Sequence, residues 1–201
     1  MTTTAARNLD QLTAALDESG IEYTRKATVG SNAEHLVLEL PGEKKLKTTV
    51  LLTAGPHGVR VEAFVCRRPD ENHQAVYRFL LRRNRRLYAV AYTLDNVGDI
   101  YLIGRISHDA LTAAEVDRVL GQVLEAADGD FNRILEIGFF TSIRREWAWR
   151  VSRGESLRNL QAFAHLIDED DLPEIPDLPP GLGDAVSSPS AGGGEVDSDA
   201  E

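Results

Sequence analysis

Cysteine is almost missing from this chain. Cys66 is the single one in 201 residues, so neither an internal disulfide nor a cysteine-built zinc site can form. No uncharged apolar run approaches the roughly 18 residues that a membrane span requires, and Met1 to Arg7 holds one basic residue and no apolar h-region. The reading is a cytoplasmic protein with no membrane partner. Histidine is scarce as well: His35, His57, His73, His108 and His165 form no HxH, no HExxH and no shared i, i+4 spacing with a carboxylate. Neither a metal nor a cofactor is expected.

The signatures of catalysis are also absent. There is no G-x-S-x-G elbow, no Walker loop and no dinucleotide fingerprint, and the run Gly192 to Gly194 precedes no helix. Asp95 and Asp99 fall in a hairpin turn, where backbone geometry alone favours Asp and Asn. Cys66 precedes Arg67 and Arg68, a cationic setting that would lower a thiol pKa. A small apolar strand residue is the plainer reading, because no G-x-C-x-G-like turn surrounds it. No catalytic residue is assigned, and the chain reads as a non-enzyme.

What is present is unevenly distributed. The net charge is −10, yet all 22 Lys and Arg precede Asp168, where 21 acids balance them, and residues 168–201 hold 11 acids and no base. That C-terminal stretch is punctuated by Pro and Gly, and its apolar residues follow no helical or strand period. It cannot bury enough apolar surface to offset its ordering entropy, so residues 168–201 read as a disordered acidic tail behind one domain, 1–167.

Within the domain, Leu9, Leu12 and Leu16 make a helical stripe that stops at Ser19-Gly20. Four segments rich in β-branched residues follow, Ile21 to Thr28, His35 to Leu40, Lys47 to Thr53 and Gly58 to Cys66, separated by turn signals such as Gly30-Ser31-Asn32 and Gly55-Pro56. Pro69-Asp70 marks a second helix, reaching Asn84 or Leu87 with Val76, Phe79 and Leu80 on its core face. Strands Tyr88 to Leu94 and Asp99 to Ile106 come next. Thr112-Ala-Ala-Glu115 is a capping box, with each side chain expected to satisfy the other's backbone N–H, and it opens a third helix. Helices are then expected over Phe131 to Val151 and Glu155 to Ile167. The order of elements gives an α+β class: an antiparallel β-sheet with helices packed on it, plus extra C-terminal helices.

That order, with the stretch FLLRRNRRLYAVAYTLDNVGDIYLIGRIS followed by LTAAEVDRVLGQVLEAAD, resembles the YbjN-type family over roughly residues 8–140. The most specific part is a helix ending in Leu-x-x-Asn (Leu81 to Asn84), the Gly98-Asp99 hairpin, a strand closing on Ile103-Gly104-Arg105, and a capped helix. The resemblance implies a fold similar to type III secretion chaperones and a regulatory role in sensory transduction. It also implies a dimer that holds an extended segment of another protein, with no catalytic residue to carry over.

Two surfaces are candidates for partner binding. On a helical wheel, Arg78, Arg82, Arg85 and Arg86 share one polar arc of the second helix. Such an arc is a solvated surface, a site for an acidic protein segment, or a phosphate site on nucleic acid; the near-neutral domain and the acidic tail argue against the last. Arg83 falls in the apolar arc and is expected to snorkel or to pair with a carboxylate. Tyr77 and Leu81 widen that arc beyond one sheet face, so the C-terminal helices or a second copy of the chain must pack there. The other surface is Phe140, Trp147 and Trp149 with their neighbouring arginines, which have the composition of an interface hot spot or of a core. The expected function is a chaperone-like or regulatory adaptor for a protein partner of unknown identity, with nucleic-acid or other anion binding as the alternative.

Overall fold

The computed structural model describes residues 4–27 and 34–168. The turn expected at Gly30-Ser31-Asn32 and the tail beyond Asp168 lie outside them. The elements are helix α1 (Thr4–Glu18), strands β1 (Thr24–Ala27), β2 (Glu34–Pro41), β3 (Lys47–Gly55) and β4 (Gly58–Cys66), helix α2 (His73–Asn84), strands β5 (Val90–Leu94) and β6 (Ile100–Ser107), and helices α3 (Ala113–Gly129), α4 (Phe131–Gly138) and α5 (Phe140–Arg153). Two 3-10 helices, His108–Ala110 and Arg158–Leu166, complete them.

The strands make one antiparallel sheet in the order β1-β2-β3-β4-β6-β5. Strict alternation along β3 and β6 buries Val50, Leu52, Ile100, Leu102 and Ile106 on one face, the period of two that a half-covered sheet needs. The stripe Leu9, Leu12 and Leu16 of α1 and the stripe Val116, Val119, Leu120 and Val123 of α3 close that face. The opposite face carries Val37, Leu51, Phe64, Tyr101 and Ile103, all only half-buried. The expected α+β architecture is present.

Two expectations give way to non-local capping, and two more are met only in part. Pro69-Asp70 does not open α2, which begins at His73. The residues before it serve a distant helix instead. Asp70 and Glu71 donate their backbone N–H groups to the Gly138 carbonyl (2.9 and 3.1 Å), while the Glu71 carboxylate accepts from Thr141 N at 2.6 Å and the Asp70 carboxylate from Ser142 Oγ at 2.8 Å. These contacts cap the start of α5 and terminate α4, so the single helix expected over Phe131 to Val151 is two helices, broken at Phe139. A carboxylate at a helix N-terminus offsets its orphan N–H groups and its dipole. The helix expected over Glu155 to Ile167 is a 3-10 helix over Arg158–Leu166, anchored by buried Phe163. The capping box is half-formed: Thr112 Oγ1 accepts from Glu115 N at 3.2 Å, but the Glu115 carboxylate pairs with Arg118 at 3.0 Å.

The hairpin between β2 and β3 hides a cation. Asp128 Oδ1 at the end of α3 accepts from Lys44 N and Lys45 N, both at 2.8 Å. That latch turns Lys45 inward until it is 5% exposed. Its ammonium donates to the Phe64 carbonyl and lies over the Phe64 and Phe131 rings at 5.3 and 5.9 Å. Burial lowers the Lys45 pKa from 10.5 to about 8. Burial also pushes the neighbouring Cys66 thiol from 9.0 up to about 12, outweighing Lys45 and Arg67, which lower it, in keeping with the plainer reading of Cys66 as a small apolar strand residue.

These two shifts set the alkaline stability. Between about 8 and 10.5 the unfolded chain holds the Lys45 proton that the folded chain has lost, so stability rises with pH. Above about 9 the unfolded thiol deprotonates before the folded one, which opposes that rise. Urea denaturation should therefore show the chain about 1 kcal/mol more stable at pH 9 than at pH 7.5. Lys45→Met should abolish the gain; an equal rise in that variant would assign it to other groups.

Candidate functional site

Helix α2 is held at both ends and left open along its outer side. Only Val76 and Leu80 are buried in it, facing α4 and the edge strand β5. At its C-terminus Asn84 acts as a substitute strand: its Oδ1 accepts from Tyr92 N at 2.7 Å and its Nδ2 donates to the Tyr92 carbonyl at 3.2 Å. This pairing satisfies outward-facing backbone groups of β5, which an edge strand otherwise leaves open to other chains, and it gives the Leu-x-x-Asn signature a physical reason. Gln122 Oε1 does the same for Tyr88 N and Ala89 N at 2.8 and 2.5 Å. Gly104, in the Ile-Gly-Arg signature, is required because a Cβ there would meet the Ala89 carbonyl oxygen at 2.5 Å.

Arg83 leaves the arginine group, as its place on the wheel requires. Its Nε donates to Asp130 Oδ2 at 2.6 Å and its Nη2 to Glu125 Oε1 at 3.1 Å. The Tyr92 hydroxyl, buried under α3, lies 2.9 Å from the same Asp130 oxygen and 2.8 Å from the Ala126 carbonyl, sharing its one proton between them. The Asp130 hydrogen bond raises the Arg83 pKa, and burial followed by the Asp130 charge raises that of Tyr92. The network ties α2, β5 and the α3–α4 junction together. Nothing local in the sequence marks Asp130 for this role beyond its place after the Gly129 break.

Arg78, Arg82, Arg85 and Arg86 remain exposed, and among the described residues none of their guanidiniums has a hydrogen-bonding or ion-pairing partner. α2 itself contains no acid. Gln74, Tyr77, Arg78, Leu81, Arg82 and Arg85 line a shallow concavity of about 700 Å³, and Phe79, Arg82, Arg83, Arg85 and Arg86 line a second beside it. Leu81 is 67% exposed, so the C-terminal helices that cover Val76 and Leu80 do not reach it. The arrangement is an apolar patch ringed by guanidiniums. It suits a ligand that offers carboxylates and apolar side chains together.

The aromatic group on α5 is not brought to this surface. Phe140, Trp147 and Trp149 are half-buried and line neither concavity. The Arg144 guanidinium stacks on Phe140 at 5.4 Å and that of Arg153 on Trp149 at 5.2 Å, while Arg150 pairs with Glu146 at 2.6 Å. Phe140 and Trp149 are thus each engaged by an arginine of α5 itself. Among the described residues no cluster of three His, Cys, Asp or Glu side chains is placed to hold a metal ion, and no helix is long and apolar enough to cross a membrane. Asp95 serves its turn: its Oδ1 accepts from the N–H groups of Val97, Gly98 and Asp99 at 2.8 to 3.0 Å.

Comparison with known proteins places the chain in a group. Uncharacterized proteins of Mycobacterium tuberculosis and Mycobacterium bovis are each 65% identical over 152 residues, covering 76% of this chain and 83% of theirs. One from Mycobacterium leprae is 62% identical over 156 residues, covering 78% and 85%. A chain in the crystal structure of the ExsC-ExsE complex is similar at 20% identity and a TM-score of 0.45, covering 66% of this chain and 96% of that one. The family model for YbjN, described as "Putative bacterial sensory transduction regulator", matches residues 8–136, a span that holds α2, Asn84, Gly104 and Asp130, and the chain belongs to the YbjN family.

Proposed function

We propose that this chain is a non-enzymatic regulatory adaptor, chaperone-like in that it holds a segment of another protein, and that the outer side of α2 is where it does so. The observation that carries this reading is the group of guanidiniums without partners among the described residues, with Arg78, Arg82 and Arg85 around exposed Leu81 and Arg86 in the concavity beside them. Leaving Arg78 and Arg82 one helical turn apart on α2, with Arg85 and Arg86 in the turn that follows it, is mildly unfavourable, by tenths of a kcal/mol per neighbouring pair. An anionic segment would remove that cost and cover Leu81. Membership of a family described as regulatory supports the role. An acidic protein segment fits better than nucleic acid, because a phosphate backbone offers nothing to cover Leu81 and Tyr77, and the domain's bases and acids are nearly balanced. The immobilised chain should retain a stoichiometric protein from cell lysate at low ionic strength and release it as salt rises. Retention of nucleic acid in its place would favour the alternative.

Self-association is the second expectation attached to Leu81. Two copies of this face would set unpaired guanidiniums against each other, so a homodimer formed through it should be favoured by salt. Light scattering at tens of micromolar reads this directly. A dimer mass that grows with ionic strength supports pairing through α2, and a monomer mass at every ionic strength refutes the homodimer.

A further inference from the structure

The chain carries a segment whose pattern matches the α2 surface. From Asp171 the sequence runs DLPEIPDLPP, in which Leu172, Ile175 and Leu178 recur every third residue, each followed by proline. Glu174 and Asp177 occupy the remaining position of the repeat. A period of three is that of the polyproline II helix, at about 3.1 Å per residue, and in that conformation the spacing would put apolar side chains along one edge and carboxylates along another. Including Asp168, Glu169 and Asp170, the stretch holds six acids and no base. The surface on α2 offers the reciprocal set, with Tyr77 and Leu81 between Arg78, Arg82 and Arg85.

The connection is short. The described chain ends at Asp168, directly after the 3-10 helix Arg158–Leu166, which packs on α4 and α5, and α4 in turn packs on α2. Residues 172 to 178 lie four to ten positions beyond Asp168, an extended reach of about 13 to 36 Å. A domain of this size has a radius of gyration of about 15 Å, so the span to α2 is within reach. Tethering also raises the local concentration of the segment to about millimolar.

We propose that residues 171–179 dock in cis on the α2 concavity, carboxylates to Arg78, Arg82 and Arg85 and apolar edge to Leu81 and Tyr77, and so compete with the adaptor's external partner. The inference rests on the reading of α2 as a docking surface. Because the occupant is covalently attached, an external ligand must displace it, and the resting protein is autoinhibited.

The test uses the full-length chain and two fluorescent probes, a synthetic peptide of residues 168–182 and a 15-residue polyglutamate. One variant carries Leu172→Ser, Ile175→Ser, Leu178→Ser, Glu174→Gln and Asp177→Asn; a second adds Arg82→Glu and Arg85→Glu to it. At low salt the tail peptide should bind the first variant at least fivefold more tightly than wild type, and the second variant should lose that binding. Equal affinity for wild type and the first variant, or binding indifferent to the arginine changes, would overturn the proposal. If polyglutamate binds the first variant in an α2-dependent way and the tail peptide does not, self-docking falls while the docking surface stands; if neither does, both fall. A nitroxide at Gly181→Cys gives a direct readout, since buried Cys66 does not compete for the label. It should broaden the amide resonances of residues 74–86, and no broadening there in an otherwise wild-type chain counts against docking.

Discussion

Replacing Asp130 by alanine should destabilise the protein by about 3 kcal/mol, the lower end of what removal of one partner from a buried ion pair costs. Arg83 and Asp130 are 20% and 12% exposed at their side chains, so the guanidinium left behind has limited access to water. The buried Tyr92 hydroxyl loses an acceptor in the same change. For a domain of this size the loss corresponds to a melting temperature lower by roughly 6 to 12 °C. Asp130→Asn keeps an acceptor oxygen and should lose about half as much. A fall of under 0.5 kcal/mol in Asp130→Ala would show that Glu125 alone satisfies Arg83 and that the junction is not held by this network.

The sequence marked one half of that contact and hid the other. Arg83 could be separated from its neighbours because a helix repeats every 3.6 residues, and a cation on the apolar arc must find a partner or snorkel. Asp130 lies 47 positions away, and no local periodicity encodes such a pairing. The same division runs through the fold. The strands of the sheet, the stripe of α1 and the stripe of α3 were legible because alternation and helical spacing are local. The α4–α5 break was not, because its cause is the pair Asp70 and Glu71 arriving from the loop before α2. Lys45 was equally hidden: in a hairpin containing Glu43, Lys44 and Lys47 it looks like one more solvated turn residue. Only the Asp128 latch from α3 turns it inward.

Reversing two charges at the C-terminal end of α2, Arg82→Glu with Arg85→Glu, should weaken binding of an acidic protein partner by about 100-fold. Each charge-assisted hydrogen bond contributes about 1.5 to 3 kcal/mol, so losing two in an exposed, salt-screened setting amounts to about 3 kcal/mol and each tenfold to about 1.4. Both side chains are exposed and without partners among the described residues, so the melting temperature should stay within a degree or two. Titrations of wild type and variant at one ionic strength check the ratio. A change under threefold would remove α2 from the interface.

The candidate site was partly legible for the same reasons. The arginine arc and the surplus apolar positions Tyr77 and Leu81 follow from the wheel, and the structure sets them side by side. Phe140, Trp147 and Trp149 share the composition of a hot spot, but composition does not say that Arg144 and Arg153 stack on Phe140 and Trp149 in cis.

If α2, and not α5, carries the partner, one measurement separates them directly. Wild type, Arg82→Glu/Arg85→Glu, and an α5 variant with Trp149→Ala and Arg153→Glu are immobilised at equal density and exposed to the same lysate at low ionic strength. The retained protein is then quantified. Wild type and the α5 variant should retain the same protein in equal amounts, and the α2 variant should retain at most a tenth. Retention by the α2 variant with loss in the α5 variant would contradict the account and move the interface to the C-terminal helices.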